Sequence, residues 1–223
     1  MQILQCVQTK LGNTVELIGS PGSNNILVIG VVHGDEPQGK FLIDSYLSRL
    51  SDNKICAKNN LLFIPCLNPD GMARKTRTNA NGVDLNRNFP TANWGKNLGD
   101  NATCDDNATA YYGGECAASE IETQFLIDTV EKYSPKLVVT LHTPYKIVNY
   151  DGPAQDIAQR ISDIIKYPVE KSVGYPTPGS FGTFCGAERG IPTITLEMDE
   201  ICPVEELIPP IYKIFDYLYS LVK

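Results

Sequence analysis

The chain contains two histidines, and the first stands in His33-Gly34-Asp35-Glu36. An imidazole and a carboxylate three residues apart can be turned toward one metal ion. With His142 they make two nitrogens and one oxygen, the three protein ligands of a catalytic zinc site that keeps its fourth position for water. The same spacing also describes a glutamate capping a helix start beside a partly buried histidine, so the pair alone does not decide.

What must position these groups is legible in the apolar pattern. Residues 26–32 form a continuous, β-branched run that reads as a strand buried on both faces, and His33 follows it. Pro37 suits the first turn of a helix through about Leu50, with Phe41, Leu42, Tyr46 and Leu47 on its apolar side. Residues 61–65 read as a second buried strand, 118–132 as a helix, and 137–141 as a strand ending at His142. Residues 153–166 read as a helix, 192–196 as a strand ending at Glu197, and 203–222 as a C-terminal helix broken near Pro209-Pro210. Strands alternating with helices predict an α/β fold in one domain, residues 1–223, with a mixed, mostly parallel central sheet flanked by helices. Ligands of such sheets bind beyond the carboxyl ends of the strands, where His33, His142 and Glu197 fall.

The composition narrows the function classes. A length of 223 residues with 42% hydrophobic and 20% charged residues is that of one folded domain. No apolar run approaches the ~20 residues that span a bilayer. A formal charge of −7 argues against nucleic acid or an anionic membrane as partner. Seven cysteines, an odd number without regular spacing, suit a reducing compartment, although Cys104 and Cys116 bracket a polar loop and a pair between them stays open. The start at Met1, without a basic and apolar leader, predicts a cytoplasmic location. Asn101 and Asn107 head glycosylation-type triplets that carry no weight in a cytosol. The oligomeric state is not set, and a homodimer stays open.

Between Gly71 and Gly114 the chain reads as loops, and irregular stretches of that length are usually functional. They hold the most specific text in the chain: Asn68-Pro69-Asp70-Gly71, then Arg74-Lys75-Thr76-Arg77, then Gly82-Val83-Asp84-Leu85-Asn86-Arg87-Asn88-Phe89-Pro90. With His33-Gly34-Asp35-Glu36 before them and His142 and Glu197 after, these motifs resemble the zinc carboxypeptidase family, in family order, from about Gly30 to Glu200. The run 77–90 and Tyr175-Pro176-Thr177-Pro178-Gly179-Ser180 are most similar to its bacterial murein peptide amidase branch.

The resemblance implies one Zn²⁺ per chain held by His33, Glu36 and His142, with Asp84 hydrogen-bonded to a ligand histidine from behind. It implies Glu197 as general base and acid and Arg77 as the donor to the tetrahedral oxyanion. Asn86 and Arg87 would grip a substrate's free carboxylate, and Tyr175 would close over the substrate. Arg74 is either an auxiliary anion site or exposed surface. The implied substrate is a small peptide with a free carboxylate, a murein tripeptide cut between γ-D-glutamate and meso-diaminopimelate. Thr143-Pro144 departs from the serine-tyrosine of secreted digestive members, and residues 94–116 have no counterpart. The window after Ser180 carries Phe181 and no acid that would point to a lysine-like side chain. Two other readings stand beside this one: an N-acyl amino acid deacylase of the aspartoacylase and succinylglutamate desuccinylase type, and a zinc-binding protein that holds peptides without cutting them.

Overall fold

Ile26 and Val28 bury into one core while Leu27 and Ile29 bury into another, the alternation of a strand covered on both faces. In the computed structural model, which describes residues 1–52, 60–95 and 111–221, this strand is β3 (Asn25–Gly30). The others are β1 (Gln2–Gln8), β2 (Thr14–Gly19), β4 (Asn60–Ile64), β5 (Leu137–His142), β6 (Ile147–Asp151), β7 (Val169–Glu170) and β8 (Thr193–Glu197). Among the described residues they form an eight-stranded sheet in the order β1-β2-β4-β3-β5-β8-β6-β7. The central strands β4, β3, β5 and β8 run parallel, while β1, β2 and β6 join antiparallel.

Helices α1 (Gln38–Asp52), α4 (Gln155–Ile165) and α5 (Val204–Ser220) cover one face through Leu42, Tyr46, Ile161, Ile211 and Phe215. Helix α3 (Ile121–Tyr133) covers part of the other, where Phe125 and Leu126 meet Leu85, Phe89, Phe181 and Phe184. The structure is the expected α/β fold with a mostly parallel sheet flanked by helices.

Three details differ from the sequence reading. Helix α5 runs unbroken through Pro209 and Pro210. The carbonyls that lose their helical donors belong to Glu205 and Glu206, which are exposed, so water replaces the donors. The buried stripe of Leu207, Ile211, Ile214 and Leu218 meanwhile holds the helix in the core. Phe41 is 42% exposed, because Leu42, Ile43 and Tyr46 form the inward face of α1. Strands β1, β2, β6 and β7 were absent from the apolar pattern, and a six-residue helix, α2 (Pro69–Arg74), interrupts the long loop. Cys104, Asn101 and Asn107 lie outside the described residues.

Since β3, β5 and β8 are neighbours, the sheet brings the ends that carry His33, His142 and Glu197 side by side, with His142 opposite Glu197 in the register.

Candidate active site

The chain leaves β3 through Val31, a β-branched residue at φ 53°, a left-handed conformation that persists only where the surroundings hold it. The backbone carbonyl of Val31 accepts from Asn68 N at 2.9 Å, and that of Gly30 from Leu67 N at 3.0 Å. The next turn packs onto α2 so closely that a Cβ on Gly34 would lie 2.1 Å from the Gly71 carbonyl carbon. Asn68 Oδ1 caps α2 by accepting from Gly71 N, and Asn68 Nδ2 donates to the Arg77 carbonyl. Asp70 is fully buried and accepts from Thr9, Asn13 and Leu11 N, tying α2 to the β1–β2 hairpin. The Asn-Pro-Asp-Gly motif is therefore the platform under the His33 turn.

That turn aims His33 Nδ1 at Glu36 Oε1, 2.8 Å away, and at His142 Nδ1, 3.2 Å away; His142 Nδ1 also lies 3.0 Å from Glu36 Oε2. All three residues are buried. A tetrahedral zinc with bonds of ~2.0–2.1 Å needs its ligand atoms roughly 3.4 Å apart, close to this cluster, and two imidazoles with a carboxylate are a donor set that zinc accepts. The residues fit the ion. Behind His33, its Nε2 lies 3.3 Å from Asp84 Oδ1, a charged approach too poorly aligned for a full hydrogen bond. Burial opposes charge on His33, but the carboxylates of Glu36 and Asp84 outweigh it and raise its pKa. Burial likewise opposes ionisation of Glu36 and Asp84, but the two imidazoles around Glu36, and His33 with Arg77 beside Asp84, hold both well below the usual carboxylate range.

A cavity of about 340 Å³ opens over this cluster. Glu197 lines it, 6% exposed; its Oε2 is buried without a hydrogen-bond partner, and burial raises its pKa. Arg77 donates from Nε to Asp84 Oδ2 at 3.0 Å and places Nη1 3.6 Å from Glu36, so one buried aspartate orients both an imidazole and a guanidinium. Arg87 is 3% exposed and spends Nη1 on the Asn86 carbonyl, while its Nε and Nη2 are buried without partners. Asn86 Oδ1 accepts from Phe181 N, which leaves the amide nitrogen for the cavity. Tyr175 lines the opening half-buried, its hydroxyl pushed up to about 12 by burial and by Tyr145.

Arg74 is the exception among the predicted site residues. It ends α2, exposed and outside the cavity lining, where a cation complements the helix C-terminus instead of meeting an anion.

Tyr111 and Asp151 are among the lining residues that escaped the sequence reading. Tyr111 sets its ring 5.3 Å from the Arg77 guanidinium and 5.6 Å from that of Arg87, and meets Tyr175 edge-on. Asp151, at the end of β6, brings a carboxylate to the cavity that the window after Ser180 lacks. Only its strand partner could have revealed it, since β6 pairs with β8 in the register Asn149↔Thr195 and Asp151↔Thr193.

Comparison with known proteins agrees with this geometry. The family model described as zinc carboxypeptidase matches residues 8–156. Murein peptide amidase A of Escherichia coli K12 is 34% identical over 178 residues, covering 78% of this chain and 71% of the relative. The protein of that name from Vibrio campbellii is 36% identical over 189 residues, covering 78% and 69%. The crystal structure of a murein-tripeptide amidase from Escherichia coli O157 superposes with a TM-score of 0.79 at 27% identity, covering 97% of this chain and 90% of that one.

Proposed function

The chain belongs to the zinc carboxypeptidase family, and we propose that it is a cytoplasmic amidase that cuts murein tripeptide between γ-D-glutamate and meso-diaminopimelate during cell-wall recycling. One observation carries the reading: Arg87, whose Nε and Nη2 are buried without hydrogen-bond partners, lines a cavity that also holds the His33, Glu36 and His142 cluster. Unpaired guanidinium nitrogens in a buried site call for a carboxylate with two parallel acceptors. The bond to be cut then lies next to a free carboxylate, and the likeness to murein peptide amidases supplies the substrate.

His33, Glu36 and His142 would hold the zinc, which when bound polarises a carbonyl and lowers the pKa of water toward ~7. Glu197 takes the proton from the attacking water and delivers it to the departing amine, a role its place in the cavity beside the cluster, with Oε2 unpartnered, supports. Arg77, fixed through Nε by Asp84 and with Nη1 3.6 Å from Glu36, is held beside the cluster as the donor to the oxyanion. Asn86 and Arg87 fix the leaving amino acid by its α-carboxylate, and Tyr175 covers it from the cavity mouth. Among the described residues Cys6, Cys66, Cys116, Cys185 and Cys202 are thiols, which supports a reducing compartment.

The test is a product screen of the zinc-loaded protein on L-Ala-γ-D-Glu-meso-diaminopimelate, ordinary C-terminal peptides and N-acyl amino acids. We expect release of diaminopimelate from the first, abolished in Glu197→Gln. Turnover confined to acyl amino acids would replace this reading with the deacylase one.

A further inference from the structure

Arg77 and Arg87 bring two like charges into one cavity, and they are anchored differently. Arg77 donates from Nε to Asp84. Among the described residues the side chain of Arg87 has a hydrogen bond from Nη1 to the Asn86 carbonyl and no ion pair. A guanidinium that takes a carboxylate through two parallel bonds needs its plane fixed beforehand. A neighbouring acid could fix it, but would occupy the same donors and compete with the substrate. An aromatic face attracts a guanidinium without using the donors in its plane.

Tyr111 supplies such a face. Its ring centroid lies 5.3 Å from the Arg77 guanidinium carbon and 5.6 Å from that of Arg87, both within the ~6 Å over which a ring attracts a cation. The chain around it is pinned to the stretch that carries both arginines' supports. The Tyr112 carbonyl accepts from Asp84 N at 2.8 Å, and the Gly113 carbonyl accepts from Asn88 Nδ2 at 2.8 Å and from Trp94 Nε1 at 3.3 Å. A Cβ on Gly113 would fall 2.6 Å from the Arg87 carbonyl oxygen, so the two backbones touch. The ring is thereby set against the backbone of Asp84, which orients Arg77, and of Arg87 itself. Core packing does not account for Tyr111, which is 36% exposed, lines the cavity and belongs to neither hydrophobic cluster. Its other ring contact is Tyr175, 6.5 Å away.

We propose that Tyr111 is a positioning residue for the two arginines: its ring holds the Arg87 guanidinium ready for a substrate carboxylate, and that of Arg77 beside it, without offering a competing anion. This rests on the amidase reading above, in which Arg87 takes the α-carboxylate and Arg77 the oxyanion.

The test is steady-state kinetics of the zinc-loaded protein on L-Ala-γ-D-Glu-meso-diaminopimelate. Tyr111→Leu, which removes the ring, should lower kcat/KM by about 5- to 30-fold with a raised KM, the range of desolvated cation–π contacts. Tyr111→Phe, which keeps the ring, should recover most of that loss. In an Arg87→Ala background the further rise in KM on Tyr111→Leu should vanish, because the ring no longer has that guanidinium to hold; a merely structural role would leave the rise in full. Tyr111→Met, equally without a ring, serves if the leucine variant does not fold. Wild-type KM and kcat in the ringless variant, an equal loss in Tyr111→Phe, or a rise in KM undiminished in the Arg87→Ala background would overturn the proposal while leaving the amidase reading intact. Failure of the wild type itself to cleave the tripeptide would overturn the amidase reading and take this inference with it.

Discussion

Two arginines flank the metal cluster, and their hydrogen bonding separates their roles. Arg77 is committed to Asp84 and 23% exposed at its side chain, whereas Arg87 is sealed in with two nitrogens unspent. A donor aimed at charge that develops during reaction affects turnover, while one aimed at a carboxylate already present affects binding. Arg77→Ala should therefore lower kcat by about 100- to 1000-fold with a small change in KM. Arg87→Ala should act mainly on KM; steady-state kinetics on the tripeptide decides, and the reverse pattern would exchange the two assignments. Glu197 and the His33, Glu36 and His142 set were legible because each follows an apolar run whose end is easy to place. Asp151 was not, since the strand that carries it alternates Val148 and Tyr150 with the cavity-facing Asn149 and Asp151 and shows no apolar run.

At the scale of elements, the parallel centre of the sheet was readable and its antiparallel margins were not. Strands β3 and β5 are buried at every position, which gives continuous apolar text. Strand β1 is a half-exposed edge rich in glutamine, and its partner β2 alternates buried Val15 and Leu17 with more exposed Glu16 and Ile18, so the pair is specified by register more than by composition. The proline pair in α5 misled for a related reason: helix-breaking chemistry is local, but the stripe that holds α5 is tertiary. Closest to the chemistry, the contact between the His33 turn and α2 leaves no room for a side chain at residue 34. Gly34→Ala should separate the two backbones, cost about 1–3 kcal/mol of stability as overpacking does, and weaken metal binding along with it. Thermal unfolding with and without zinc measures both effects. A variant as stable and as metal-competent as the wild type would show that α2 does not support the turn.

Over the whole molecule, the site is assembled from segments far apart in the chain. The sheet supplies the metal cluster and Glu197 from three adjacent strand ends, and the stretch 68–90 supplies the platform, Arg77, Asp84, Asn86 and Arg87. Tyr111, Tyr175 and Asp151 are among the residues that complete the lining of the cavity. Sequence could order the first two groups because each is a compact motif. It could not foresee Tyr111 lying across both arginines, a contact between residues well apart in the chain. The account as a whole stands on one ion shared by His33, Glu36 and His142, and the most direct measurement of it is a crystal structure of the zinc-loaded protein with data collected on both sides of the zinc absorption edge. The account predicts a single anomalous peak per chain, bonded to His33 Nδ1, His142 Nδ1 and the Glu36 carboxylate, with Glu197 facing it across the cavity. A peak elsewhere, or none at these three atoms in a fully loaded crystal, would contradict it.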